Sequence, residues 1–466
     1  MTTNSKGTLK VISHPGKAKA SVKIVPVAAS TKGEKGLETL SPEAPKGIQA
    51  STTASAFSFD EAGSNRFSLD IAPDDIDQIS SEQPLTLKSN QAIAKDESLL
   101  VCYKDAATGL YVPNGFGYKV RGGAELKLIK VPDGAQPGAK DLFGAVQMLV
   151  FKFAGKIGFE NPYPLLRAAW VNDDGLAEYD NGEVTQLRDK VKQAQRILLL
   201  VHAFTGDTRF MVVGQSVLKS VQAGFVDYDL VLTYDYESIN TTIQDSARQL
   251  KAKLAQIGLG PDHGKTVHLV AHSLGTQVSR WFVEQEGGNK IVEQVVLLGP
   301  PNNGTSLAVV QKWLTYLVGL GLNGLLSAVS PALALAKLVH ALSVVVGGVE
   351  KIDTTLDQLE PNSEFYQGLN GSPDPQVPYH VIIGDTSKVN GKGESVTLLQ
   401  RLYPSISLLF AGQPNDIAIS VNSAQTVATL DRTPSPSVRV VACDHLSYFS
   451  IKSSIKEIAK ALASGE

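Results

Sequence analysis

The sequence VHLVAHSLGTQVSRWF, residues 267–282, constrains the fold more than any other part of the chain. Its first half is an apolar run that predicts a buried strand, and its second half has apolar residues at helical spacing. The turn between them carries small residues at Ala271 and Gly275, which allow a strand and a helix to cross at close range. Such a turn exposes the Ser273 hydroxyl and directs the helix N-terminus at an oxyanion formed beside it. Ser273 is therefore the candidate nucleophile, and the alternative is an ordinary strand-to-helix turn.

Length and composition indicate a globular protein of two or three domains, since the chain has 466 residues, 43% hydrophobic and 19% charged. The formal net charge of -3 gives no electrostatic case for binding nucleic acid. Cys102 and Cys443 lie far apart without CxxC spacing, which favours buried thiols over a disulfide framework or a thiolate metal site. The first twenty residues carry lysines but no apolar signal-peptide core, which favours a cytoplasmic location.

Changes in composition along the chain predict its domain organisation. Residues 1–50 are rich in Lys, Ser, Thr, Pro and Gly, and we expect a disordered tail. Short alternating runs over 51–138 predict a β-rich N-terminal module. Apolar residues at helical spacing over 139–164 predict a connecting amphipathic helix. A larger domain is predicted over 165–466, with an apolar insertion at 306–350.

Within this larger domain, predicted strands and helices alternate, which is typical of a mostly parallel sheet with helices on both faces. The fold class is therefore α/β. The predicted strands lie at 196–201, 228–234, 267–270, 295–298, 379–383 and 438–441, and the clearest helices at 243–257 and 451–462.

The apolar insertion has no charged residue over 313–336, a length compatible with a membrane span. A single span would place Ser273 and the later part of the domain on opposite sides of a bilayer. Gly319 and Pro331 are among the residues that interrupt the apolar run. The insertion is therefore predicted to be a helical cap, whose leucines suit either an acyl chain or packing on the core. Contact of this cap with a membrane surface is a further alternative.

A serine becomes a strong nucleophile only when a base removes its proton and a third group orients that base. Of the eight histidines, only His445 both follows Ser273 and comes directly after the last predicted strand. His340 lies in the apolar insertion and His380 inside a strand, where structural roles are expected. His445 is therefore the candidate general base.

Three aspartates follow Ser273 near predicted strand ends: Asp385, Asp416 and Asp444. Asp444 is adjacent to His445 in the chain, so its carboxylate would have difficulty reaching Nδ1 of that neighbour. The residues alone leave Asp385 and Asp416 as alternatives.

The region from about 195 to 460 resembles the α/β-hydrolases of the lipase and esterase type, including the inositol-deacylase-like lipases. The α/β-hydrolases carry nucleophile, acid and histidine in that chain order. In these lipases an Asn-Asp-Gly-x-Val-x-x-x-Ser-Ala string carries the acid, and residues 415–424 match most of it, with Ile417 in place of the Gly. The resemblance implies that Asp416 is the acid, with Asp385 as the alternative.

The same families have a His-Gly-hydrophobic loop whose backbone N–H forms half of the oxyanion hole. Residues 201–206 match this loop, with Ala203 in place of the usual Gly. The resemblance implies that the N–H groups of Phe204 and Leu274 are the oxyanion donors. It also implies a structural role for His202.

Two further matches to these lipases concern the pocket and metal binding. Residues 299–306 resemble a Pro-x-x-Gly-Ser stretch, which implies that they shape the pocket floor. Some bacterial lipases of this kind bind calcium through an Asp two residues after the catalytic His, where this chain has Ser447. No metal and no cofactor are therefore expected.

These observations together favour a serine hydrolase of small-molecule or lipid carboxylic esters that acts through an acyl-enzyme. An amidase, a peptidase or an acyltransferase on the same triad is an alternative, because the triad does not select the leaving group. The rival from another class is a non-catalytic scaffold that binds an unknown partner through its N-terminal module.

Overall fold

The fold is taken from a computed structural model of the chain. It describes residues 9–13, 20–24, 54–56, 66–71, 79, 84–89, 97–104, 111–128, 146–154, 163–204, 208–223, 225–238, 241–322, 354–389 and 409–464. The chain divides into two compact units. The first contains Met1–Gly158 and Leu314–Val349, and the second contains Phe159–Trp313 and Glu350–Glu466.

The first unit contains an antiparallel sheet of nine described strands. In chain order they are β1 (Leu9–Ser13), β2 (Ala20–Ile24), β3 (Ala54–Ala56), β4 (Arg66–Ile71), β5 (Leu85–Ser89), β6 (Glu97–Lys104), β7 (Tyr111–Val120), β8 (Gly123–Leu128) and β9 (Val146–Ala154). Their order in the sheet is β1-β5-β8-β7-β6-β9-β4-β2, and β3 also pairs with β9. The predicted β-rich segment 51–138 thus supplies most of the strands, but β1 and β2 precede this segment in the chain and β9 follows it.

The prediction of a disordered tail over residues 1–50 is wrong for β1 and β2. β1 pairs with β5, where Lys10 lies opposite Lys88, and β2 pairs with β4, where Val22 lies opposite Leu69. Both strands are short apolar alternations within a polar, glycine-containing segment. Strands distant in the chain supply their backbone hydrogen bonds, and composition does not reveal such partners.

The prediction of a connecting helix over 139–164 is also wrong in its central part, because residues Val146–Ala154 form β9. This strand pairs with β6 on one side and with β4 and β3 on the other. Its sequence, VQMLVFKFA, is rich in β-branched and aromatic residues, which fit a pleated sheet. Pairing on both sides outweighs the helical spacing of the apolar residues.

The second unit contains an eight-stranded sheet. Its strands are β10 (Leu165–Val171), β11 (Ala177–Tyr179), β12 (Arg196–Val201), β13 (Leu230–Asp235), β14 (Thr266–His272), β15 (Gln294–Leu298), β16 (Tyr379–Gly384) and β17 (Ser437–Val441). The order is β11-β10-β13-β12-β14-β15-β16-β17, and every neighbouring pair from β13 to β17 is parallel. β10 is antiparallel to β13 and to β11. The predicted mostly parallel sheet is confirmed.

The described α-helices alternate with these strands. They are α1 (Val184–Gln193), α2 (Arg209–Gln215), α3 (Leu218–Val221), α4 (Ile243–Gln256), α5 (Leu274–Gln285), α6 (Leu307–Leu322), α7 (Thr354–Leu359), α8 (Glu364–Asn370), α9 (Val421–Gln425) and α10 (Lys452–Ala463). Leu198 and Leu200 of β12 face a core cluster that includes residues of α2, α3 and α10. α5 packs on β12 and β14 and lies beside α4. Because side chains alternate along a strand, these two helix groups cover opposite faces of the sheet.

The predicted cap insertion, 306–350, is described only in its first part, the helix α6. Residues 323–353 lie outside the described residues. From Leu314 to Val349 the insertion is assigned to the first unit rather than the second. Among the described helices, none has the length and the apolar content that a membrane crossing requires.

Parallel strands place their carboxyl ends at one edge of the sheet, and the predicted site residues follow those ends. Ser273 follows β14, Asp385 follows β16, and His445 follows β17. In open α/β sheets ligands bind outside the carboxyl ends of the strands. The candidate site is therefore expected at the edge of the sheet formed by the carboxyl ends of the parallel strands.

Candidate active site

Ser273 lies on the sharp strand-to-helix turn that the sequence predicts. β14 ends at His272, α5 begins at Leu274, and Ser273 between them has φ 52° and ψ -124°. The backbone N–H of Ser273 donates to the carbonyl of Leu298 on β15, at 2.9 Å. A non-glycine residue with positive φ is strained, and such strain is kept where the surrounding structure fixes it. The turn holds the serine between the sheet edge and the start of a helix.

Gly275 allows α5 to approach the end of β12. A Cβ at this position would overlap the carbonyl oxygen of His202 and would lie 2.8 Å from that of Val201. Any side chain here would push the first turn of α5 away from the sheet. The small residue expected at 275 is thus required by the close approach of α5 to Val201, the last residue of β12, and to His202.

His445 and Asp416 are brought together. Nδ1 of His445 lies 2.6 Å from Oδ2 of Asp416, and the His445 backbone N–H donates to the Asp416 carbonyl at 2.8 Å. Both residues are fully buried, at 0% exposure. Nε2 of His445 has no hydrogen-bond partner among the described residues.

Ser273 and His445 are joined through the residue before the serine. Nε2 of His272 donates to the backbone carbonyl of His445 at 2.8 Å, and the two rings lie 4.8 Å apart. Burial lowers the pKa of His272 well below its usual value, so this ring is neutral. No hydrogen bond between Ser273 Oγ and His445 Nε2 is present in the described part of the chain. His272 was not singled out from the sequence, although it adjoins Ser273.

The Asp416 carboxylate accepts hydrogen bonds on both oxygens. Oδ1 accepts from the backbone N–H groups of Ala418 and Ile419, at 3.1 and 2.7 Å. Oδ2 accepts from the hydroxyl of Tyr448 at 2.9 Å, in addition to His445. Four donors thus surround the carboxylate and hold it in one orientation.

Ile417, the residue in place of the motif glycine, has φ 78°. A β-branched residue rarely adopts this conformation, which explains why glycine occurs in the related motif. The Ile417 side chain is fully buried, so its packing offsets part of the backbone strain.

The other two aspartates make contacts elsewhere. Asp385 begins the short 3-10 helix Thr386–Lys388, where its carboxylate accepts from Ser387 N and Oγ and lies 3.1 Å from Nζ of Lys388. Asp444 accepts from the N–H of Leu446 at 2.8 Å, and burial raises the pKa of its carboxyl. Asp416 is thus the aspartate hydrogen-bonded to the His445 ring.

Phe204 and Leu274, the expected oxyanion donors, are the third residue after β12 and the first residue of α5. The first N–H groups of a helix have no acceptor within that helix. His202 is fixed in this loop because its Nδ1 bonds to the Ala203 carbonyl at 2.5 Å and its Nε2 accepts from Tyr236 N at 2.9 Å. Thr205 and Gly206 of the matched loop lie outside the described residues.

An aromatic residue that the sequence analysis did not select contacts both parts of the site. The ring of Trp313 lies edge-on to His445, with centroids 5.5 Å apart, and 6.4 Å from the ring of Phe204. Trp313 is 4% exposed. It gives the histidine an apolar neighbour on the side of the expected oxyanion loop.

The 299–306 loop packs against Asp416 and Tyr448 and contacts Arg280. Gly299 has φ 52°, and a Cβ there would lie 2.8 Å from Asp416 Oδ2 and from the Tyr448 hydroxyl. Asn302 accepts from Nη1 of Arg280 on α5 at 3.2 Å. The loop therefore joins the acid to the helix that follows the serine.

A buried ion pair fixes the same helix. Nε of Arg280 donates to Oε1 of Glu284 at 2.8 Å, and Nη2 of Arg432 donates to Oε2 at 2.7 Å. A buried charge without such partners would be strongly destabilising. These contacts hold α5 in one position relative to the loops around it.

In the part of the chain that the structure describes, no group of three His, Cys, Asp or Glu side chains could hold a metal ion. Ser447, the residue two positions after His445, accepts through its Oγ from the Asp444 N–H at 3.0 Å.

A family model matches residues 167–463, and its description is a domain of unknown function, DUF7379. No curated protein matches the chain. Among solved structures, the mature lipase BlEst2 of Bacillus licheniformis is 19% identical with a TM-score of 0.33, over 56% of this chain and 88% of that chain. The phospholipase PlaB of Legionella pneumophila is 18% identical with a TM-score of 0.32, over 49% and 45%. The hydrolase olei00960 of Oleispira antarctica is 14% identical with a TM-score of 0.34, over 58% and 95%.

Gly275→Ala tests the close approach of α5 to β12. The added methyl group overlaps the His202 carbonyl, so we expect the free energy of unfolding to fall by about 2 kcal/mol or more in urea. Gly260→Ala is the control, because nothing lies within 4 Å of a Cβ there, and it should stay within about 1 kcal/mol of the wild type. Equal stability of the two variants would contradict the close approach.

Proposed function

We propose that this chain, which belongs to the family of the domain of unknown function DUF7379, is a serine hydrolase of carboxylic esters with the α/β-hydrolase architecture. The observation that carries the proposal is the buried Asp416–His445 hydrogen bond beside the strained turn at Ser273. The three residues follow the chain order nucleophile, acid, histidine and lie at the carboxyl edge of a parallel sheet.

In the proposed mechanism, Nε2 of His445 removes the proton of the Ser273 hydroxyl while Oγ attacks the ester carbonyl carbon. The carbon–oxygen double bond becomes a tetrahedral oxyanion. When it re-forms, the bond to the leaving oxygen breaks, and the proton on His445 passes to the leaving alcohol. Water then repeats the sequence on the acyl-enzyme and releases a carboxylic acid.

Asp416 acts on the histidine rather than on the substrate. Its Oδ2 accepts from Nδ1, which leaves Nε2 unprotonated and directed away from the carboxylate. When His445 gains the serine proton, the carboxylate stabilises the resulting imidazolium. Burial strengthens this interaction because little water screens it.

The proposed oxyanion donors are the backbone N–H groups of Phe204 and Leu274. Leu274 is the first residue of α5, so the helix dipole adds positive potential where the oxyanion forms. Fixed donors of this kind stabilise the transition state more than the uncharged carbonyl of the substrate. The contacts of His202 with Ala203 and Tyr236 hold the backbone before Phe204 in place.

Lipase or carboxylesterase activity is the specific reaction that we propose. Trp313 is the aromatic neighbour of the histidine and lies near Phe204, and these two rings suit an ester with a hydrocarbon acyl group better than a charged substrate. Burial of each CH2 group of such a substrate contributes about 0.8 kcal/mol. The role of the apolar insertion in binding the acyl chain stays a prediction.

Ser273→Ala tests the nucleophile. Hydrolysis of p-nitrophenyl acetate and butyrate should fall by about three to six orders of magnitude, because no hydroxyl remains to form the acyl-enzyme. The control is Ser279→Ala on α5, the helix that follows Ser273, which removes another buried hydroxyl that bonds to the Gly275 carbonyl. It should keep activity within about tenfold of the wild type. Wild-type turnover by folded Ser273→Ala protein would rule out the mechanism.

Asp416→Asn and Asp385→Asn test the choice of acid. Loss of the Asp416 carboxylate removes the group that orients His445 and stabilises its charge, and kcat should fall about a hundredfold or more. Asp385 bonds to Ser387 and Lys388, so Asp385→Asn should leave kcat nearly unchanged. The opposite pattern, with only Asp385→Asn impaired, would show that the acid is assigned to the wrong residue.

A further inference from the structure

Tyr448 lies three residues after His445 and is fully buried. Its hydroxyl is 2.6 Å from the backbone N of Gly384 at the end of β16 and 2.9 Å from Oδ2 of Asp416. A backbone N–H can only donate, so the tyrosine oxygen accepts this bond. The hydroxyl proton is then directed to the carboxylate. The two contacts therefore fix both the position and the donor direction of the hydroxyl.

The oxygen of Asp416 that accepts from Tyr448 also accepts from Nδ1 of His445. We propose that Tyr448 is a positioning residue that sets the basicity of His445 through Asp416. This inference rests on the proposed function, because it assigns Tyr448 a part in the reaction of Ser273.

Oδ2 of Asp416 carries the negative charge that both donors share. A hydrogen bond from Tyr448 draws electron density from Oδ2, which weakens its attraction for a protonated His445 ring. Without that bond the carboxylate would hold the imidazolium more strongly, and the ring would stay protonated to higher pH. Tyr448 thus limits how strongly the carboxylate holds the proton that His445 takes from the serine.

The other titratable groups around Tyr448 do not weaken the attraction of Asp416 for the His445 ring in this way. Burial raises the pKa of Tyr448 well above its usual value, so its phenol stays protonated. Burial also raises the pKa of the Cys443 thiol and of the Asp444 carboxyl, and it lowers the pKa of His272 well below its usual value. Of these groups, Tyr448 is the one that donates to Asp416 Oδ2 alongside His445.

The test is the pH dependence of covalent labelling by a fluorophosphonate, which needs no knowledge of the natural ester. Attack of Ser273 Oγ on phosphorus expels fluoride, and His445 takes the serine proton. The second-order rate constant should therefore fall at acid pH as His445 becomes protonated. In Tyr448→Phe the midpoint of this acid limb should move up by about half to one pH unit.

Two comparisons make the result specific. Tyr234→Phe removes another buried hydroxyl, which donates to the Ser246 carbonyl at 2.8 Å, and its midpoint should match the wild type. Replacement of Tyr448 by 3-fluorotyrosine keeps the shape and gives a more acidic, stronger donor. In that protein the midpoint of the acid limb should move to lower pH. If Tyr448→Phe does not fold, the fluorotyrosine protein alone tests the inference.

The possible outcomes separate this inference from the proposed function. A midpoint that moves to higher pH in Tyr448→Phe and to lower pH in the fluorotyrosine protein supports the role of Tyr448. Labelling of Ser273 with an unchanged midpoint in either protein overturns it, even if thermal stability falls, because Tyr448 would then be structural only. Folded wild-type protein that is not labelled at any pH overturns the proposed function, and this inference with it.

Discussion

The hydrogen bond between Asp416 and His445 is the interaction on which the site depends. An ionised carboxylate buried without partners would cost several kcal/mol, so it is kept only where donors surround it. Here the donors are two backbone N–H groups, the His445 ring and the Tyr448 hydroxyl. Gly384 at the end of β16 donates to the Tyr448 hydroxyl, and His272 at the end of β14 donates to the His445 carbonyl. Gly299, directly after β15, lies so close to the carboxylate that a Cβ there would be 2.8 Å from Asp416 Oδ2. The parallel sheet thus orients the acid, and the acid orients the base.

Short-range patterns allowed the sequence to predict the central part of this arrangement. Apolar runs predicted strands β12 to β16, because strands buried on both faces are continuous apolar segments. β17, the edge strand, was predicted from its valines although much of it is exposed. The turn at Ser273 was predictable from small residues between a strand and a helix. Asp416 was separated from Asp385 only by resemblance to a lipase motif, and the structure adds the contact with His445. His272, Trp313 and Tyr448 were not selected, because their contacts join residues far apart in the chain or depend on side-chain orientation.

The first unit was predicted less well, for a related reason. Val146–Ala154 has apolar residues that fit either a helix or a strand, and the choice is made by pairing with strands elsewhere in the chain. Leu9–Ser13 and Ala20–Ile24 are too short for composition to distinguish them from a polar tail. The oxyanion roles of Phe204 and Leu274, the acyl site in the insertion, the cytoplasmic location and the partner of the N-terminal module stay predictions.

Identification of the residue that reacts with a fluorophosphonate tests the central claim most directly. The wild-type protein is treated with the probe, digested, and analysed by mass spectrometry for the modified peptide. A nucleophile activated by a buried histidine–carboxylate pair reacts far faster than other serines, which lack a base. The account predicts one adduct per chain, on Ser273, whose formation is strongly slowed in His445→Ala. An adduct on a different residue, or none on folded protein, would contradict it.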